Sequence, residues 1–472
     1  MLTNTLMISL GTAILSFLLV FIMRRNILKQ PEGGKRIIDS VKIVSDEVKK
    51  GVNKQNMVLF PITLAVFVLI LYLLNWQTGI AFLAGALATI LINQILPHIV
   101  AQNSGRVLEA SRKNIAEGAN IALKSGVVSA SLVLGLSLLI TTGFYAIFQN
   151  TQVLVGLGFG VVLVALYIKL TSTGGKELKI DPNSAIALLE LTTLATVVAM
   201  VLVKSTFGYP TNPTLFVLII ASASTITFLI SSFLLRFFKS AKKLSTNIYA
   251  AIGLQILIFA AAVFFAKMWL IKAIGIHYMV NFYGLSLIAL ILLFLAGLAM
   301  QLNIYHQVVN NAVSIADKNE ISEDTKKQLF ELTGFETLFQ FINKFYIIKS
   351  TALVSILLFA AYFRSIQSSF SLDLGNYLVL IGLFVALIIM SLFYWQKTKF
   401  KAERLLKNIL IVVGFLVIPV VIGLTLGPVA LGGYVLGVIL TGLFAATFIS
   451  KLFGNIILLS SVIALLIASS IV

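Results

Sequence analysis

The sequence predicts an all-α polytopic membrane protein of about 14 transmembrane helices, and three observations carry that prediction. The 472 residues are 59% hydrophobic and only 11% charged, with a mean hydropathy of +1.04, so polar side chains are too few to cover a water-soluble globule. Apolar runs of spanning length follow one another along the whole chain. The basic residues fall almost entirely on alternate connections between those runs. Together these predict one transmembrane domain over 1–472 with no soluble catalytic domain beside it.

Taken in order, the runs lie at 4–23, 57–75, 77–97, 125–148, 152–171, 185–204, 213–238, 248–271, 281–302, 346–363, 375–395, 408–425, 429–449 and 453–471. The first has no basic leader and no A-x-A cleavage pattern and runs straight into Arg24 and Arg25, so it is expected to stay as a first span with its N terminus outside. With every second connection then inside, 31 of the 35 basic residues fall on the cytoplasmic side, leaving Lys204, Lys267, Lys272 and Arg364 outside. An even number of spans puts the C terminus outside as well. Trp76, Trp269 and Trp395 each stand at a span end, where an amphipathic ring suits the lipid–water boundary.

Three cytoplasmic stretches, near 35–55, 101–124 and 303–345, read as helical extensions of the spans. In the first, Ile37, Ile38, Val41, Val44 and Val48 recur at helical spacing with charges between them, the mark of an amphipathic helix. In the third, Asp317, Glu320, Glu323 and Asp324 are expected to form a solvated helix junction capped by Ser322.

The charge balance, 35 Lys and Arg against 17 Asp and Glu, gives a net +18 that in a soluble protein would raise nucleic acid as a partner. Here membrane orientation and the anionic lipid surface account for it, so lipid is the expected partner and nucleic acid is not. The absence of cysteine excludes disulfides and thiolate chemistry. His98, His277 and His306 lie in separate segments without metal-ligand spacing, so no metal site is expected from them. Gly156, Gly158 and Gly160 stand within a span and suit close helix packing better than phosphate binding. Glu190 is the one acid well inside a run. A buried intramembrane carboxylate is costly and points to function, against the plainer alternative of a Glu bonded to a Ser or Thr or reaching cytosolic water. Asp181-Pro182 opens the same run as a turn or as a ligand-binding loop.

Several motifs carry a resemblance to the membrane-integral pyrophosphatases, ion pumps driven by pyrophosphate hydrolysis. Gln30-Pro31-Glu32-Gly33 with Arg36-Ile37 resembles that family's K-P-E-G stretch, and Trp76-Gln77-Thr78-Gly79-Ile80-Ala81-Phe82-Leu83 its W-Q-T-G-x-A-F-L. Arg106-Val107-Leu108-Glu109-Ala110 with Lys124-Ser125-Gly126 fits the helix after its third span, and Thr246-Asn247-Ile248 its T-N-I. Ile304-Tyr305 through Asn311-Ala312 and Ile315-Ala316 lines up on D-A-Y-G-P-I-A-D-N-A-G-G-I-A-E. Pro419-Val420-Val421-Ile422-Gly423, Leu426-Gly427-Pro428 and Leu431-Gly432-Gly433 resemble its late-span signature. The order is the family's along nearly the whole chain.

The resemblance implies a helical bundle, a homodimer or larger membrane assembly, and a bacterial or archaeal plasma membrane or an equivalent organelle membrane. It also implies a pyrophosphate site of clustered Asp side chains holding magnesium, which this chain lacks in large part. Asp181 matches the acid of the family's D-P, and Glu190 falls on the first acid of I-A-D-N-V-G-D-N-V-G-D, whose next two acids fall on Leu194 and Val198. Both acids of D-A-Y-G-P-I-A-D-N fall on Asn303 and Asn310. Ser172 to Glu177 is all that remains of an acid-rich segment, the last two runs are joined almost directly, and Asn455-Ile456-Ile457-Leu458-Leu459 stands where the family reads N-I-L-I-K. Between Phe207 and Lys242 one run stands where the family has three, which suggests a lost helix hairpin.

The vestigial site positions are therefore Asp181, Glu190, Asn303, Asn310 and Lys344, and none of them is assigned a catalytic role. No cofactor is expected, magnesium entering only with residual pyrophosphate binding. The function expected is a non-hydrolysing pyrophosphatase-like pseudoenzyme acting as a structural or interaction subunit. The first alternative is a channel or transporter using the former ion pathway with Glu190 as its lining charge. The second is an active pyrophosphate-energised proton or sodium pump; weak phosphate chemistry through Lys344, Lys176 and Glu177 is a further enzymatic possibility.

Overall fold

The computed structural model describes residues 2–171, 183–207, 212–234, 282–319, 321–334, 336–366, 376–399, 404–448 and 452–471, together with residues 257 and 264. These residues form helices and short joints, with no strand among them. The helices are α1 (Leu2–Leu28), α2 (Lys35–Leu73), α3 (Trp76–Lys113), α4 (Ile115–Phe148), α5 (Thr151–Thr171), α6 (Asn183–Phe207) and α7 (Asn212–Leu234). They continue with α8 (Phe282–Lys318), α9 (Glu323–Thr333), α10 (Glu336–Ser365), α11 (Tyr377–Lys399), α12 (Arg404–Thr425), α13 (Gly427–Phe448) and α14 (Leu452–Ile471). Eight of the described helices carry an apolar stretch long enough to cross a bilayer, and four more have shorter ones. Every predicted span meets one of these helices except 248–271, of which only residues 257 and 264 are described; Trp269 lies outside the described residues.

At about 1.5 Å per residue, the 39 residues of α2 reach nearly twice the thickness of a hydrocarbon core. The amphipathic 35–55 stretch is therefore the protruding half of the helix that makes the second span, and the helix runs through Pro61 without a break. Ile37, Val44 and Val52 form its buried stripe. The stretch 101–124, read as helical, comprises the end of α3 and the start of α4. Asn114 takes an extended backbone conformation, ends α3, and accepts a hydrogen bond from the Ala116 amide at 2.9 Å, satisfying one of the free donors at the start of α4. The stretch 303–345 is likewise divided, into the end of α8, the short α9 and the start of α10. Ser322 does precede α9, but its hydroxyl pairs with that of Thr325 at 2.9 Å and makes no hydrogen bond to a backbone amide, so the cap is one of position only. Lys326 faces Glu323 at 3.1 Å and Asp317 at 3.8 Å across this junction.

Burial separates inner from outer helices. The spanning stretch of α6 is 100% buried and that of α5 is 89% buried, whereas those of α1 and α2 are 28% and 22% buried. Phe21, Leu64 and Tyr72 on those outer helices are exposed, as a lipid-facing surface requires. α3 and α5 pack closely because glycines face backbone on both sides. A Cβ at Gly85 would meet the Leu157 carbonyl, and Cβ atoms at Gly156 and Gly160 would meet the carbonyls of Thr78 and Phe82. Trp76 opens α3 with its ring exposed and edge-on to Phe148, 5.8 Å between centroids. At the other end of the bundle, the buried Arg106 pairs with Glu32 and so ties the α1–α2 joint to α3.

Candidate functional site: a buried charged cluster

α5 ends, α6 begins and α14 begins at the same end of the bundle, and each brings one polar side chain to a common point. Lys169 stands two residues before the end of α5, Glu190 two turns into α6, and Asn455 in the first turn of α14. The Lys169 ammonium donates to Glu190 Oε2 at 2.8 Å and to Asn455 Oδ1 at 2.9 Å. The Asn455 amide donates to both Glu190 oxygens, at 2.5 and 2.7 Å. Glu190 is 1% exposed and the Lys169 side chain 13% exposed, so the pair sits in a low-dielectric interior where charge-assisted bonds are short and strong. Among the described residues, Lys169, Glu190 and Asn455 form a ring in which each side chain bonds the other two.

That arrangement gives Glu190 its partners. Its partner is a lysine and an amide, rather than the Ser, Thr or cytosolic water that were the plainer expectation. Taking a carboxylate out of water costs several kcal/mol, and an excellent ion pair with further hydrogen bonds is what offsets it, on the order of the penalty itself. Lys169 is the residue the sequence alone does not single out, because its place near the end of a span counts it among the cytoplasmic charges. The signal was present, since an acid inside a span calls for a cation within reach. Asn455 heads the motif in which Leu459 replaces the family's lysine, and Leu459 is fully buried.

Among the described residues, the other expected positions do not join this cluster. Leu194 and Val198, one and two turns beyond Glu190, are buried, and Leu194 packs against Gly158 of α5. Asn303 and Asn310 are half-buried on one face of α8 with His306 between them, and the Asn310 amide donates to His306 Nε2 at 2.9 Å. Asp181, Lys176 and Glu177 lie outside the described residues, as does the side chain of Lys344. Magnesium wants several carboxylate oxygens. The described donors at those positions are two amides and one carboxylate already held by an ammonium, and no three His, Asp or Glu side chains gather among the described residues. These described donors do not by themselves make up a magnesium site.

Comparison with known proteins gives the scaffold its family. The family model described as inorganic H+ pyrophosphatase matches residues 14–175 and 249–402. A K(+)-insensitive pyrophosphate-energized proton pump of Methanosarcina mazei is 22% identical over 78% of this chain and 72% of its own. A second such pump, from Moorella thermoacetica, is 29% identical over 34% of this chain and 24% of its own. Lys169 lies in a matched segment, whereas Glu190 and Asn455 fall in 176–248 and 403–472. With two thirds of its length on the family model, spanning helices throughout and the family's motifs in order, this chain is an integral membrane protein that belongs to the inorganic H+ pyrophosphatase family.

Proposed function

We propose that this protein is a non-hydrolysing member of the family, a pseudoenzyme that keeps the pump's membrane scaffold and serves as a structural or interaction subunit. It would do so as a homodimer or within a larger membrane assembly. The observation that carries the proposal is the ring of Lys169, Glu190 and Asn455, which occupies the one intramembrane acid of the sixth span. A hydrolytic site has to neutralise pyrophosphate and its divalent cations with carboxylates free to bind them. Here that carboxylate is engaged, and the acids that would follow it are replaced by buried Leu194 and Val198.

The test is reconstitution into liposomes with pyrophosphate and magnesium, reading phosphate release and acidification of the lumen. Phosphate release at the rate of protein-free vesicles is expected. Steady hydrolysis abolished by Glu190→Gln would overturn the proposal and support the activity printed for the relatives, pyrophosphate-energized proton pumping. The channel alternative is separated by passive ion flux in the same vesicles. Glu190 is held in an ion pair with Lys169 rather than left as a lone charge for an ion to follow, so no flux above empty vesicles is expected.

A further inference from the structure

α6 carries a second polar face, turned away from Glu190. At 100° per residue, Thr192 and Thr196 lie about 160° and 120° around the helix from Glu190, toward α4 and α7. There they line a small cavity near mid-length of all three helices, with Ser137 of α4 and Ser224 and Thr225 of α7. Its volume is about 20 Å³, just above the ~10–15 Å³ that one water molecule needs.

Hydrogen bonding defines what this cavity can hold. Thr192 donates to the Leu188 carbonyl at 2.8 Å, Thr196 to the Thr192 carbonyl at 2.8 Å, and Thr225 to the Ala221 carbonyl at 2.9 Å. A hydroxyl has one proton and two lone pairs, so these three offer the cavity acceptors only. Ser137 shares a single bond with Thr193 at 3.0 Å. Ser224 belongs to a residue 4% exposed, and its hydroxyl has no hydrogen-bond partner among the described residues. A guest must therefore donate to the threonines and can accept from Ser224. A cation cannot accept, and no charged side chain lines the cavity to balance one. An anion would find the Ser224 hydroxyl, joined by that of Ser137 only where Thr193 donates in their shared bond, and no positive charge among the lining residues.

We propose that a partly open pocket between α4, α6 and α7 is a binding site for a single water molecule at mid-length of the helices, which accepts from Ser224 and donates to Thr192, Thr196 or Thr225. The site is independent of the charged ring and of whether the protein hydrolyses pyrophosphate. It satisfies a hydroxyl whose burial without a partner would cost the bundle stability.

The experiment is pulsed radiolytic labelling of the intact protein in lipid nanodiscs, in which radicals formed from a bound water oxidise the side chains beside it. Leu134 and Leu138 line the cavity and are buried, so they are expected to label several-fold faster than Leu163 and Leu166 of α5, which are also buried. Labelling no faster than those controls overturns the proposal. The near-isosteric pair Thr196→Val and Thr225→Val, which removes two acceptors without opening space, is expected to slow it several-fold, and Ala221→Leu, which fills the cavity, to abolish it. Labelling that survives both in folded protein overturns it. Replacing sodium by choline is expected to leave the rate unchanged; a change would assign the site to a cation instead.

Discussion

Lys169 and Glu190 are a pair in which each charge is tolerated because of the other. Lys169→Met is expected to destabilise the protein by about 3–5 kcal/mol, since it leaves a buried carboxylate without its cation. Lys169→Met with Glu190→Gln removes both charges and is expected to recover most of that loss. Thermal unfolding of the purified variants checks both outcomes, and equal losses in the single and double variants would mean that packing of the lysine stem, rather than charge, is what matters. Asn455→Leu should fall between wild type and Lys169→Met, because the ion pair survives while two hydrogen bonds to the carboxylate go. Of this site, the sequence made Glu190 legible because an acid in an apolar run stands out. Lys169 and Asn455 were not, because the contact joins residues 21 and 265 positions apart along the chain from Glu190.

Among the elements, the contact between α3 and α5 depends on the absence of side chains. Gly85→Ala and Gly160→Ala each place a methyl group against a backbone carbonyl that cannot rotate away, and overpacking of this kind costs typically about 1–3 kcal/mol. Gly143→Ala, at a position with open space, is the control expected to change little. A lowered melting temperature in the first two and not the third is the expected result. The run of Gly156, Gly158 and Gly160 announced close packing without naming the partner, since glycine spacing says that a backbone approaches and not whose. Helix limits were legible wherever apolar periodicity persisted, as in α2. They were not legible at Asn114, where one residue closes a helix and opens the next without any Gly or Pro to mark it.

For the whole molecule, the firmest sequence signal was the division of basic residues, and it makes a prediction that the bundle itself does not fix. The chain contains no cysteine, so a single introduced thiol reports its own side of the membrane. Gln152→Cys, exposed at the start of α5, is expected to react with an impermeant maleimide added outside intact cells. Gln30→Cys, exposed between α1 and α2, is expected to react only after permeabilisation. The reverse pattern would invert the assigned orientation. The architecture followed from composition and periodicity because each span must satisfy its own backbone in lipid, which leaves helices as the answer for such a chain. What the family motifs add is the order of the helices, and what the replaced acids remove is the charge that a pump would use.

The pairing of Lys169 with Glu190 also bears on the response to voltage. Moving one elementary charge across a membrane at 100 mV is worth about 2.3 kcal/mol, and a carrier or sensor works by letting such a charge travel alone. Lys169 and Glu190 stand 2.8 Å apart and share Asn455, so neither shifts without the other and the field does no net work on them. Moving together, the pair carries no net charge through the field, and its geometry should be the same in an energised membrane as in a resting one.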